Sequence, residues 1–236
     1  MRQGSFDFGD GKDLRGIREN LLNIYGPQRD EERFDPMSQL VYGIVASRTY
    51  DKVSMAAFWR LRACCPSWQE LMDTSSDAIE CAIQDVTYAE RKAADLPRML
   101  RMLQARHGAL DLDFLVDIDD VEMAMQILAA LHGVKTKIAA TVLNFSSLRK
   151  RVLAVDTHLL RVGKRLGIVP PDANYRGAHD AYAAMLPEDW DADTLYELHW
   201  LLKRFGQDIC HSALPNCAGC PLRELCPSQG LRPAAA

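Results

Sequence analysis

The 236-residue chain contains no apolar run approaching the roughly 20 residues needed to cross a bilayer, which excludes a helical membrane protein. Its first ten residues, MRQGSFDFGD, lack an apolar core, so no signal peptide is expected there. Positive charge is not in excess. The 28 Lys and Arg stand against 32 Asp and Glu, a net charge of −4 that argues against a uniformly basic coat for nucleic acid but leaves room for a local patch. The seven cysteines cannot all pair, and without a secretion signal they point away from a disulfide scaffold and toward a reducing cytosol. No segment alternates with period two for long enough to read as a strand, and there is no internal repeat or low-complexity stretch. What remains is ordinary globular composition, 48% apolar and 25% charged, long enough to bury one or two cores without covalent staples.

The periodicity is helical almost throughout, so the expected fold class is all-α. Leu14, Ile17, Leu21, Leu22 and Ile24 space like one helix face, which Gly26-Pro27 ends. Asp35-Pro36 opens a second helix as N-cap and first-turn proline, with Leu40, Val41, Ile44 and Val45 as its buried stripe. Asp51 is expected to cap a third helix that Pro66 stops, and Ser67 and the Ser75-Ser76-Asp77 cluster to cap two more. Residues 89–105 read as helix that Pro97 must kink or divide. The acids between 111 and 122 read as solvated loop and helix N-termini leading into an apolar helix at 123–131, and residues 232–236 as a disordered tail.

Cys210, Cys217, Cys220 and Cys226 follow a helix read over 195–205 and are spaced C-x6-C-x2-C-x5-C. Four thiolates in one short loop can wrap a single inorganic centre. Gly219 and prolines 215, 221 and 227 suit a tight loop whose fold comes from metal–sulfur bonds rather than packing. Three readings compete. Chance proximity is disfavoured because free cysteines rarely cluster this way. Zinc usually takes two C-x2–4-C pairs, and this loop has one. An iron–sulfur cluster is the favoured reading. Cys64, Cys65 and Cys81 fall in expected helices and read as small core hydrophobes.

In Leu131-His132-Gly133-Val134-Lys135-Thr136-Lys137-Ile138-Ala139 one helix ends at Leu131, a tight turn carries Gly133, and Thr136 starts another helix. The turn of such a helix-hairpin-helix presents backbone N–H groups beside a helix N-terminus, a ready site for a DNA phosphate, although many helical proteins join helices through a glycine turn. Between His132 and Arg165 stand eight basic residues and one acid, Asp156, so this segment carries +7 and the remainder −11. Asp156 heads a helix over 157–166, where the simple role is N-cap; the cap and a catalytic carboxylate can be the same residue. A lysine nucleophile with an aspartate partner suits amine catalysis, with Lys137 preferred and Lys135 as its rival. Burial and a helix N-terminus favour losing the lysine proton, while a nearby carboxylate opposes it.

Together these features resemble the endonuclease III family of base-excision DNA glycosylases. The resemblance rests on the hairpin, on Val155-Asp156-Thr157-His158 leading into Leu159-Leu160-Arg161-Val162, and on the cysteine spacing, and it runs from about Leu14 to Cys226. It implies a two-domain helix-hairpin-helix glycosylase fold, with a six-helix barrel over 30–150 and an iron–sulfur cluster domain of 1–29 and 151–236, the DNA cleft lying between them. It implies a 4Fe-4S cluster on Cys210, Cys217, Cys220 and Cys226. It sets Lys137 on the family's catalytic lysine in LPGVGxK and Asp156 on its catalytic aspartate. In that family the lysine attacks C1′ of a flipped-out nucleotide, the base leaves, and the Schiff base undergoes β-elimination that nicks the strand.

The segment Ala46-Ser47-Arg48-Thr49-Tyr50-Asp51 aligns with the family's SAQATD or SQQTSD, so Arg48 takes the place of the intercalating glutamine; Tyr88, ahead of Arg91-Lys92-Ala93, falls near the second wedge position. A surface arginine and a core or capping tyrosine are the plain alternatives. Gly133, Val134 and Lys135 are expected to meet DNA phosphates, and Arg223 to be aimed at them by the cluster loop. The chain departs from the family at His132, in place of the hairpin proline, at Lys135, in place of its second glycine, and at Arg48. The implied function is a monomeric, bifunctional glycosylase and AP lyase that removes damaged bases, oxidised pyrimidines foremost, from double-stranded DNA in a prokaryotic cytoplasm, at the nucleoid. The alternatives are a thymine-, uracil- or adenine-mismatch glycosylase of the same fold and a non-catalytic hairpin binder with a structural or redox cluster.

Overall fold

The computed structural model describes residues 13–29 and 32–228; the residues of the expected signal-free start, 1–10, and of the expected tail, 232–236, lie outside these. The regular elements among the described residues are all helical. They are α1 (Leu14–Tyr25), α2 (Pro36–Ala46), α3 (Asp51–Cys64), α4 (Trp68–Asp73), α5 (Ser76–Ala82), α6 (Ala89–His107), a 3-10 turn (Asp113–Leu115), α7 (Val121–Ala129), α8 (Thr136–Phe145), α9 (Thr157–Arg165), α10 (Tyr175–Ala183) and α11 (Ala192–Asp208). The chain divides into two compact units, one comprising Met1–Asp30 with Leu153–Ala236 and the other Glu31–Val152.

Local signals explain most of the boundaries. Asp35, Ser67 and Ser75 each accept a hydrogen bond from a first-turn N–H, and Pro36 occupies the position where its missing donor costs nothing. Asp51 differs from expectation: Tyr50 is the N-cap and Asp51 the first helical residue, where its carboxylate still favours the helix dipole. α6 runs unbroken through Pro97. A proline inside a helix loses one hydrogen bond and crowds the carbonyl four residues back, at a cost of about 3 kcal/mol. Burial of Leu96, Met99, Leu100 and Leu103 at about 1.5–3 kcal/mol each outweighs it. α7 starts two residues earlier than the apolar pattern because Asp120 caps it, accepting from Glu122 N at 2.9 Å and Met123 N at 3.1 Å. Cys64 and Cys81 prove to be exposed, on the solvent sides of α3 and α5, and only Cys65 of these three is buried.

In the Glu31–Val152 unit α2 packs against α3, α6 and α8 and buries Met37, Leu40, Val41, Ile44 and Val45. A Cβ on Gly43 would lie 3.0 Å from Ile138 Cγ2, so the bare backbone of α2 is what lets α8 settle beside it. In the other unit α11 packs on α1 and α9, around Ile17, Leu21, Leu159, Val162, Tyr182, Leu198 and Phe205. Tyr182 is fully buried there, with its hydroxyl donating to Leu159 O at 3.0 Å. A Cβ on Gly163 would sit 2.7 Å from both Tyr182 Oη and Val169 Cγ2. Gly163→Ala is therefore expected to lower stability by about 1–3 kcal/mol through overpacking. Thermal unfolding followed by circular dichroism checks this, and an unchanged Tm would show that Tyr182 can give way.

Candidate nucleic-acid interface and cysteine loop

After α7 the chain turns through Leu131, whose N–H donates to Leu128 O at 3.0 Å, and through Gly133 at φ 76°, a left-handed conformation suited to glycine. Val134 is buried, and its N–H donates to Leu131 O at 3.2 Å. The Val134 N–H is thus engaged within the turn, which the residue anchors. Lys135 is the N-cap of α8 and exposed; Lys137 is half-buried in the first turn. Lysine has donors and no acceptor, so it cannot close the helix end above which it stands.

That feature recurs. The side chains of Asp13, Asp35, Ser67, Ser75, Asp120, Asp156, Asn174 and Asp191 cap their own helices. Among the α-helices of the described residues, the three without a side-chain cap are α3, α6 and α8. They begin beside Arg48, at Tyr88 and at Lys135, the three segments singled out for DNA contact. Arg48 and Tyr88 are both exposed and meet, with Arg48 Nη1 3.5 Å from Tyr88 Oη. The hairpin is tied to the same helix α6, where Asp95 Oδ1 lies 2.7 Å from His132 Nε2. The histidine in place of the hairpin proline thus brings a side-chain tether. Neither Asp95 nor Lys92, described below, stood out in sequence, because an acid or lysine on a helix surface has no distinguishing spacing.

Asp156 is 9% exposed, and its Oδ1 accepts from His158 N at 2.8 Å and Leu159 N at 2.9 Å, the N-cap role. The segment before it is braced by two buried histidines: His199 Nδ1 donates to Ala154 O at 2.7 Å, and His179 Nε2 accepts from Val155 N at 3.3 Å. Burial pushes His158 down from the usual imidazole range, against the nearby Asp156 carboxylate.

At the far end of α9, Arg161 and Arg165 grip the start of the cysteine loop. Arg161 donates to Gly206 O at 2.7 Å and Cys210 O at 3.1 Å, and Arg165 to His211 O at 2.6 Å and Ser212 O at 2.9 Å. Two of the eight basic residues read as a surface patch are thus engaged in the fold, and Lys150 likewise binds Val116 O at 2.9 Å and Ile118 O at 3.0 Å. Cys210, Cys217, Cys220 and Cys226 line one small cavity of about 30 Å³ together with Leu166, Phe205 and Ile209. Among the described residues, no group of three or more His, Cys, Asp or Glu is arranged to hold a metal ion. Burial pushes the thiols of Cys220 and Cys226 up, and the neighbouring cysteines add to it. Arg223 is exposed, its N–H on Cys220 O at 3.2 Å and its carbonyl on Cys226 N at 3.2 Å.

No family model matches the chain. It is 27% identical to endonuclease III-like protein 1 of Gallus gallus over 223 residues, 92% of this chain and 74% of that protein. It is 24% identical to the endonuclease III homolog of Encephalitozoon cuniculi over 212 residues, 84% of this chain and 80% of that protein. Among solved structures, a trapped endonuclease III–DNA covalent intermediate matches with TM-score 0.75 at 20% identity, covering 93% of this chain and 96% of that one. A thermostable thymine-DNA glycosylase matches with TM-score 0.70 at 19% identity, covering 91% and 93%. The fold is the all-α helix-hairpin-helix DNA glycosylase fold. Within it, the chain is similar to endonuclease III-like proteins over most of its length.

Proposed function

We propose that the chain is a base-excision DNA glycosylase with AP-lyase activity, acting on damaged bases, oxidised pyrimidines foremost, in double-stranded DNA. The observation that carries this is the opening of α8: a glycine turn, a helix N-terminus without a side-chain cap and two lysines, in a chain similar to endonuclease III-like proteins. In the proposed reaction neutral Lys137 Nζ attacks C1′ of the extruded nucleotide, and the glycosidic bond breaks with its electron pair leaving on the base, which takes up a proton. Opening of the sugar gives a protonated Schiff base. Loss of a proton from C2′ then expels the 3′ phosphate. Asp156 stabilises the positive charge that develops at the sugar, and Gly133, Lys135 and Arg223 hold phosphates. Arg48 and Tyr88 fill the gap left by the base. Borohydride trapping on an abasic-site duplex tests this; wild-type protein that forms no adduct overturns it. A thymine-mismatch preference is a second reading, favoured by the likeness to the thymine-DNA glycosylase.

A 4Fe-4S cluster on Cys210, Cys217, Cys220 and Cys226 is part of the proposal. Four cysteines that line one cavity and include a single C-x2-C pair suit a cluster better than a zinc ion, which usually takes two such pairs. The cluster would act as a cross-link that orders the loop carrying Arg223. No helix among the described residues is long and apolar enough to cross a membrane. The proposed setting is the prokaryotic cytoplasm, at the nucleoid, where exposed Cys64 and Cys81 would stay reduced; the two relatives named above are eukaryotic.

The Asp95–His132 tether adds a prediction. Asp95→Ala is expected to weaken binding to a duplex bearing a tetrahydrofuran abasic analogue by about two- to fivefold, the range of a partly exposed pair. Fluorescence anisotropy at fixed salt measures it. Unchanged affinity would mean that the hairpin is held without this contact.

A further inference from the structure

Lys92 lies on α6 one turn beyond Tyr88 and is 4% exposed. Its Nζ donates to Val45 O at 2.7 Å, to Ser47 O at 2.7 Å and to Thr49 Oγ1 at 3.2 Å. Ser47 and Thr49 are the residues on either side of Arg48. The Thr49 hydroxyl oxygen also accepts from the N–H of Thr87, at 3.1 Å, the residue before Tyr88. Arg48 and Tyr88 themselves sit at φ 56° and 61°, the left-handed region that side-chain-bearing residues adopt only where their surroundings enforce it. The Arg48 guanidinium carbon stands 5.9 Å from the centre of the Tyr88 ring. One ammonium therefore fixes the backbone on both sides of Arg48 and, through Thr49, the backbone leading into Tyr88. Burial pushes this ammonium down to about 8, so at neutral pH the fold keeps a charge in place against its own desolvation.

We propose that Lys92 is a positioning residue that sets Arg48 and Tyr88 as one preformed wedge, without itself touching DNA. The inference rests on the wedge reading of those two residues. A wedge whose backbone is already in place enters a base stack without first being ordered, and a misplacement of about 1 Å is enough to cost up to a hundredfold in a step that depends on geometry.

The test uses a duplex with a tetrahydrofuran abasic analogue opposite 2-aminopurine, whose fluorescence rises when its stacking is disturbed, and compares wild type, Arg48→Ala, Lys92→Met and the double variant. Lys92→Met is expected to lose at least about half of the fluorescence rise at saturating protein and to slow single-turnover cleavage of an abasic site about tenfold, with affinity for undamaged duplex within about twofold of wild type. The double variant is expected to be no worse than Arg48→Ala, because the two substitutions remove the same wedge. A full fluorescence rise with Lys92→Met, alongside a loss with Arg48→Ala, overturns the positioning role and leaves the wedge reading standing. A full rise with Arg48→Ala overturns the wedge reading and the positioning role with it. If Lys92→Met lacks the helical circular dichroism of wild type, Thr49→Val decides in its place, since it removes only the hydroxyl leg of the clasp. A reduced rise supports the proposal, and an unchanged one overturns it.

Discussion

Lys137→Ala is expected to abolish the borohydride-trapped adduct and to lower the single-turnover rate of abasic-site cleavage by about a thousandfold or more, because no other group then supplies the amine that becomes part of the Schiff base. The structure separates the two lysines of the hairpin. Lys135 is exposed at the N-cap, whereas Lys137 is half-buried within the first turn of α8, beside buried Ile138 and Ala139. Lys135→Ala is accordingly expected to keep the adduct and to lose roughly a few-fold in duplex affinity, with a shallower salt dependence, as befits one phosphate contact. If Lys135→Ala loses the adduct and Lys137→Ala keeps it, the assignment is reversed. Asp156→Asn probes the carboxylate separately from the helix it caps. Asparagine caps as well as aspartate, so the fold should hold while the charge is gone, and cleavage should fall about a hundredfold.

Cys220→Ser is expected to give a colourless protein in which iron falls well below the roughly four atoms per chain expected of the intact site. Wild-type protein that is colourless and carries one zinc would overturn the cluster. The loop has little else to hold it. From 211 to 228 only Leu222 is buried, the Arg161 and Arg165 side chains reach no further than Ser212, and beyond it Asn216 N donates to Ile209 O at 2.9 Å and Cys226 Sγ to Arg165 O at 3.4 Å. Limited proteolysis should therefore cut within 213–228 in Cys220→Ser, while the α1–α9–α11 core, built on Ile17, Leu159 and Phe205, resists. Resistance of the loop in an iron-free variant would show that packing alone orders it.

Helix starts were legible wherever a side chain both marks and makes the cap, as at Asp35, Ser67, Ser75 and Asp156. Asp51 had the residue type of a cap and is instead the first helical residue, and of the kink or division expected at Pro97 the division does not occur, since α6 carries the proline among buried neighbours. The basic segment around the hairpin was legible as composition but not as surface, since the destinations of Arg161, Arg165 and Lys150 are carbonyls distant in sequence. Asp95 and Lys92 left no sequence signal for the same reason: their meaning lies in loops 37 and 43 to 47 residues away.

The sequence by itself determined the all-helical class, the hairpin with its two lysines, the capping aspartate and the four-cysteine loop, because each depends on interactions within a few residues, such as periodicity, caps and ligand spacing. The tertiary structure alone decided which charges remain at the surface, that Arg48 and Tyr88 meet, and that Lys92 and Asp95 on α6 hold the two loops proposed to meet DNA. Those outcomes depend on which backbone carbonyls and side chains the packed helices bring within hydrogen-bond reach, and a linear pattern carries no record of that.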